Sequence, residues 1–330
     1  MTPAWRRGRR ARIVLWLALT LVASPDAGAG GVSNPAMARI ERMVTAARTL
    51  NYDATFVYTH GGKMDEMRII HRYGADGERE RLITLSGAAR EVLRDETQVT
   101  CIIPDSESVV VGKSRPQSLY GSPVLTAEGY AEHYDVLLGG VTRVAGRAAE
   151  EIRIRPRDEF RYGYRLWVDR KLGLLLRSEL VDATDSVLES IVYTSIRIPE
   201  VIPDALLEPE ISGNGFSWYT TSTSSASEPG TASRWQPRWL PSGFRIRDRE
   251  STPLPAGRMP LEHLVYGDGL ASVSIYIEQL ERSAAPMQGI STMGAMNAYG
   301  RIVDGLQVTV VGEVPSVTVR GIGDSVEKAR

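Results

Sequence analysis

Few residues of this chain combine the type and spacing that catalysis or metal binding needs. Four histidines, His60, His71, His133 and His263, are scattered along it, with no HExxH and no paired spacing that could bring two imidazoles to one ion. Cys101 is the single cysteine and lies in the apolar run VTCII, so it has no partner for an internal disulfide and reads as a small apolar residue, not a nucleophile. Asp158 and Glu159 are adjacent, which on a strand sends their side chains to opposite faces, away from any shared acid–base task. There is no GxSxG or P-loop, and Gly213-Asn214-Gly215 lacks the strand-to-helix setting of a phosphate cradle. These residues favour a binding protein without cofactor or metal over an enzyme. A hydrolase with a non-local triad is the alternative that spacing cannot reveal. Tyrosine is in surplus, 13 against 4 phenylalanines, with members at 52, 58, 73, 120, 130, 134, 162 and 164. Such tyrosines either sit half-buried in a sheet with a wet hydroxyl or line an apolar cavity.

The elements that must position them are mostly strands. In residues 160–180, FRYGYRLWVDRKLGLLLRSEL, Tyr162, Tyr164, Leu166 and Val168 alternate with Arg161, Gly163, Arg165 and Trp167. Bulky groups on both faces of a two-residue period suit a large curved sheet. Asn34-Pro35 followed by Met37, Ile40, Val44 and Ala47 predicts an amphipathic helix over 35–50 with an N-cap and a proline in its first turn. Tyr52, Ala54, Phe56 and Tyr58 then share a strand face, and Met67, Ile69, His71 and Tyr73 share another across a turn at 60–63. Further strands are expected near 79–86, 90–95, 97–103 and 107–111, a second helix from 126 to 138 ending before Gly139-Gly140, and strands at 141–155, 160–169, 173–182 and 187–198. The fold class is therefore mostly β (α+β): a large half-open antiparallel barrel with helices across its mouth, plus a small antiparallel α+β domain. The helix stripe of Met37, Ile40 and Val44 should lie over the sheet face of Tyr52, Phe56 and Tyr58. These six are the candidate lining of an apolar cavity.

Five arginines, an apolar run from Ile13 to Ala23 and a small-residue site at Ala27-Gly28-Ala29 have the layout of a secretory signal peptide over residues 1–29, and so predict a periplasmic protein. The remaining chain carries 34 basic and 39 acidic residues, a formal charge of −5, which argues against nucleic acid as a partner. Residues 30–211 form the large domain, and 212–233, rich in Ser, Thr and Gly, read as a flexible linker. The small domain spans 234–330, with strands near 244–249, 262–267, 270–280, 299–303 and 306–312, turns at Asp268-Gly269 and Asp304-Gly305, and a last helix from Pro315 carrying Val319, Ile322 and Val326.

Five separated blocks, at 54–73, 77–95, 143–180, 262–280 and 294–315, resemble the RseB/MucB family of periplasmic regulators of sigma-E (AlgU-type) factors. The blocks include ATFVYTHGGKMDEMRIIHRY, RVAGRAAEEIRIRPRDEFRYGYRLWVDR and GAMNAYGRIVDGLQVTVVGEVP. The resemblance implies a lipoprotein-carrier-like large domain and a partner, the periplasmic part of a transmembrane anti-sigma factor, held by the small domain 234–330 with part of the large one. It implies that this shields the anti-sigma factor from proteolysis and that lipid, lipopolysaccharide or lipoprotein acyl chains release it. A lipid or lipoprotein carrier is the alternative. A homodimer is neither favoured nor excluded.

Overall fold

The computed structural model describes residues 34–114, 132–220, 234–252, 261–280 and 285–329. The signal peptide expected over residues 1–29, its expected cleavage site and residues 221–233 of the expected linker lie outside them. Helix α1 (Pro35–Thr49) starts where expected: the Asn34 carboxamide accepts the Ala36 N–H at 2.9 Å and donates to the Val136 carbonyl at 3.0 Å, so one side chain caps the helix and ties it to the sheet.

The strands of the large module run in chain order as β1 (Tyr52–His60), β2 (Lys63–Gly74), β3 (Gly77–Thr84), β4 (Glu91–Arg94), β5 (Gln98–Ile103), β6 (Ser108–Lys113), β7 (Tyr134–Val144), β8 (Arg147–Pro156), β9 (Gly163–Asp169), β10 (Leu175–Val181), β11 (Val187–Arg197) and β12 (Ser217–Thr220). They build one twelve-stranded sheet in the order β12-β6-β5-β4-β3-β2-β1-β11-β10-β9-β8-β7. Its terminal strands do not pair with each other, so the barrel stays half open.

The small module follows with β13 (Trp235–Pro237), β14 (Arg245–Thr252), β15 (Leu261–Gly267), β16 (Ser272–Glu278), β17 (Gly289–Met293), β18 (Met296–Val303), β19 (Leu306–Gly312), α2 (Ser316–Ser325) and β20 (Val326–Lys328). Six of these strands form a sheet in the order β14-β15-β16-β19-β18-β17, and β13 pairs with β20. Val319 and Ile322 of α2 are buried against Val308, Val310, Trp235 and Phe244. Asp304 and Gly305 have φ of 50° and 79° and close β18 onto β19 in a two-residue turn, as that dipeptide predicts. Gly321 and Gly323 are tolerated in α2 because rings occupy the space: an added Cβ would lie 2.6 Å from Trp239 and 2.4 Å from Tyr299.

The structure corrects five expectations. Residues 134–138, expected at the end of a second helix, are in β7; a bulge between Leu138 and Val141 lets Gly139-Gly140 pass without breaking the pairing with β8, and it interrupts the two-residue period. Residues 126–131 of that expected helix lie outside the described ones. The single strand over 141–155 is two, turning at Ala145-Gly146. Within the segment read as linker, residues 217–220 are a strand, and it runs parallel to β6. Strand β17 was not anticipated, and Val326 belongs to β20 instead of the last helix.

Candidate functional site

The sheet face beneath α1 carries the sequence candidates. Cross-strand partners share a face, and the register connects Tyr58 to Ile191, Ser178, Leu166 and Ile152 in turn, so the row on β1 and the floor under the helix belong to one continuous surface. Within it the six residues fall into two packed groups. Tyr52 and Phe56 are buried with Met67, Ile69, Leu82 and Ile191, with Tyr58 half-buried at their edge. Ile40 is buried with Ala36 and Met43 against Val136, Ile152 and Leu166, and Met37 and Val44 flank that second group. The buried stripe of the helix therefore runs through Ala36, Ile40, Met43 and Ala46, one position round from the stripe expected.

A polar cluster closes one end of the first group. Tyr52 stacks on His71 with ring centroids 4.7 Å apart. The His71 Nδ1–H donates to the Leu50 carbonyl at 2.8 Å, and its Nε2 lies 3.2 Å from Glu78. Arg94 pairs with both Glu78 and Glu80. Burial pushes the Tyr52 and Tyr193 hydroxyls and the Glu80 carboxyl up. Burial raises Glu78 too, but the hydrogen bonds and charges of His71 and Arg94 outweigh it and hold that carboxyl at about 2.

On the opposite face, residues 200–213 strap across β2–β5. Ile202 and Leu207 cover Ile70, and the Glu210 N–H donates at 3.0 Å to Glu91, itself paired at 3.0 Å with a buried Arg81. A cavity of about 390 Å³ lies between this strap and the sheet, walled by Leu93, Ile102, Pro209 and Ile211 and bordered by Trp218.

The second candidate is the seam between the modules. Arg161, 2 % exposed, reaches out of the large module to Asp268 at 3.0 Å and donates to the Ser242 carbonyl at 2.6 Å. Its guanidinium stands 5.5 Å from the Tyr134 ring and 5.2 Å from the Phe244 ring. The Tyr134 hydroxyl donates to the same Asp268 oxygen at 3.1 Å, while the other oxygen accepts the N–H groups of Leu270 and Ala271. Around this centre Thr318 donates to the Phe160 carbonyl at 2.7 Å, Asn297 donates to the Tyr162 hydroxyl at 3.1 Å, and Phe160 meets Trp239 edge-on. Each carboxylate oxygen of Asp268 is hydrogen-bonded and its charge is balanced, so the cluster fastens two modules and offers no free acid, base or nucleophile.

The histidines stay apart. His60 lies 3.1 Å from Asp65, His133 packs on Gly243, and His263 stacks on Tyr276. Among the described residues no three ligand-type side chains converge on a metal position. Cys101 is half-buried beside Val92 and Val99, and burial pushes its thiol up against the opposing charge of Arg90. With the thiolate disfavoured, Cys101→Ser should cost on the order of 1 kcal/mol in denaturant unfolding and leave partner capture unchanged. A variant of native stability that has lost capture would instead give the thiol a chemical role.

Comparison with known proteins adds a consistent set of likenesses. The MucB/RseB N-terminal domain matches residues 35–211 and the MucB/RseB C-terminal domain matches 229–327. The sigma factor AlgU regulatory protein MucB of Pseudomonas aeruginosa is 31% identical over 96% of this chain and 97% of that protein. The sigma-E factor regulatory protein RseB of Escherichia coli K12 is 27% identical over 95% of this chain and 98% of its own length. Among solved structures, the Pseudomonas aeruginosa MucA/MucB complex matches with a TM-score of 0.71 and 29% identity over 90% of this chain and 100% of that one. MucB in complex with MucA(peri) matches with a TM-score of 0.69 and 29% identity, over 89% of this chain and 99% of that one.

Proposed function

The chain belongs to the MucB/RseB family, and from that membership we propose that it is a periplasmic negative regulator of an envelope-stress sigma factor, a binding protein and not an enzyme. It binds the periplasmic part of a membrane anti-sigma factor and shields it from proteolysis. The observation that carries this reading is the likeness, through both modules, to a relative solved in complex with MucA(peri). The seam supports it. A buried ion pair with hydrogen bonds around it gives the modules one relative orientation, so that a partner can meet both as a single surface.

Lipid or lipopolysaccharide releases the partner in this reading, and the face of Tyr52, Phe56, Tyr58, Met37, Ile40 and Val44 receives the acyl chain. Tyr52, Phe56 and Ile40 are already buried by protein, so a chain enters by displacing side chains. Each buried methylene returns about 0.8 kcal/mol, so a few of them offset one opened contact. A ligand that prefers the partner-free state lowers partner affinity, and the partner lowers ligand affinity by the same factor.

The test is capture of the purified periplasmic domain of the anti-sigma factor by the chain lacking residues 1–29. Capture should protect that domain from site-specific proteolysis, and lipopolysaccharide should lower the affinity by tenfold or more, on the order of 1.4 kcal/mol. Absence of capture sinks the reading. Lipid binding without any capture would favour a carrier.

A further inference from the structure

The cavity between the strap and the sheet lies on the reverse of the face beneath α1. Register sets its floor. Leu93 of β4 stands opposite Thr100 of β5, and along β5 the same face presents Ile102, Thr100 and Gln98 in turn, because alternate residues of a strand share a face. The floor therefore grades from aliphatic through hydroxyl to carboxamide over about 13 Å, two steps of the two-residue repeat. Above it the strap alternates in the same way: Leu207, Pro209 and Ile211 are apolar, and Glu208, Glu210 and Ser212 stand between them.

The cavity stays open because the strap is anchored on both sides of it. Asp204 pairs with Arg72 at 2.6 Å, Glu208 with Arg79 at 3.2 Å and Glu210 with Arg81 at 3.2 Å, and further along the chain β12 pairs with β6. Gly213 lies between Val109 and the Trp218 ring, where an added Cβ would be 3.1 Å from the one and 3.3 Å from the other. A side chain there would crowd the indole, so glycine lets it lie against the strap at the border of the cavity. Trp218 is 62 % exposed. It leaves a large apolar surface in water beside an aliphatic pocket, and a ligand entering the pocket covers that surface.

The charged groups that border the cavity already have their counterparts. Arg79 is held by Asp204 and Glu208, and Glu210 by Arg81. Arg94 pairs with Glu80, and the Asp95 carboxylate accepts the Thr97 hydroxyl and the N–H groups of Thr97 and Gln98. A charged head brought here either breaks one of these pairs or gives up water without a partner. An uncharged head meets the amide and hydroxyl groups of Gln98, Thr100 and Ser212 at far smaller cost. The volume, about 390 Å³, is that of a small-molecule site. We propose that this cavity binds an uncharged amphiphile with a single acyl or alkyl chain. The chain lies between Leu93 and Ile102 below and Pro209 and Ile211 above, with its hydroxyl or amide head at Gln98. This site is independent of the anti-sigma reading and of the acyl chain assigned above to the face of Phe56.

Calorimetric titration of the chain lacking residues 1–29 with monodecanoylglycerol, decanoate and decyltrimethylammonium, each below its micelle concentration, tests it. The neutral probe should bind in a one-to-one complex, and the two charged probes at least about tenfold more weakly. Thr100→Phe fills the floor and should abolish binding, and Trp218→Ala should weaken it on the order of tenfold. Equal affinity for the charged probes, undiminished binding in Thr100→Phe, or no binding by the wild type overturns the proposal. Should Thr100→Phe fail to fold, undiminished binding in Trp218→Ala overturns it equally. A probe held on the face of Phe56 ignores both substitutions, so binding there is told apart from binding under the strap.

Discussion

Arg161→Met will weaken the protein by about 3–5 kcal/mol, because it strips the partner from a carboxylate that has no route to water. Asp268 is 2 % exposed, and neither side chain of the pair is accessible. The methionine fills most of the volume between Tyr134 and Phe244, so lost packing contributes little, and the cost comes from leaving the Asp268 charge unpaired. Asp268→Asn should cost less in combination with Arg161→Met than alone, since the neutral amide no longer needs the guanidinium. Urea unfolding of the two single variants and the double variant closes the cycle. A coupling energy near zero would mean that the pair is not what fastens the modules. If the partner meets both modules, as proposed above, capture of the anti-sigma domain should fall together with the seam.

The second large effect is expected at Phe56→Ala, about 3–5 kcal/mol from lost apolar burial and the cavity left behind. Phe56 is 1 % exposed and lies between Met67 and Tyr193, whose ring centroid is 5.5 Å from its own. Melting temperature and lipid-induced release should be read side by side. If lipid uses this face, the variant releases its partner abnormally per folded molecule. If release per folded molecule is unchanged in a destabilised Phe56→Ala, the face is structural core and the lipid is received elsewhere.

Local signals carried most of the fold. Asn34-Pro35 marked α1, and the turns after His60 and Val303 placed their hairpins, because a two-residue turn needing positive φ leaves a glycine in the sequence. Strand β7 was missed for a physical reason: its bulge puts two residues opposite one, so Tyr134, Leu137 and Leu138 imitate helical spacing and Gly139-Gly140 imitates a helix end. Strand β12 was missed because all four residues are exposed, leaving no alternation to read. The seam was invisible as a site. Arg161 was noted only as one member of an alternation and Asp268 only as a turn residue, and nothing local connects positions more than a hundred residues apart. The weak signal available was an arginine between two aromatic residues in a run otherwise suited to burial. The candidates on β1 and α1 were legible as apolar faces, but their division into two groups depends on how α1 is rotated, which Asn34 fixes through its bond to Val136.

The strap over residues 200–213 also decides what an open seam would look like. The ion pairs of Asp204, Glu208 and Glu210 with Arg72, Arg79 and Arg81 and the pairing of β12 with β6 pin the chain to the large module as far as Thr220, and the small module's first strand begins at Trp235. The intervening stretch can span at most about 3.6 Å per residue. A small module that has let go is thus a tethered body searching a confined volume, at an effective concentration of order millimolar when the tether is slack. Re-docking is then a first-order event whose rate does not depend on how much protein the cell makes.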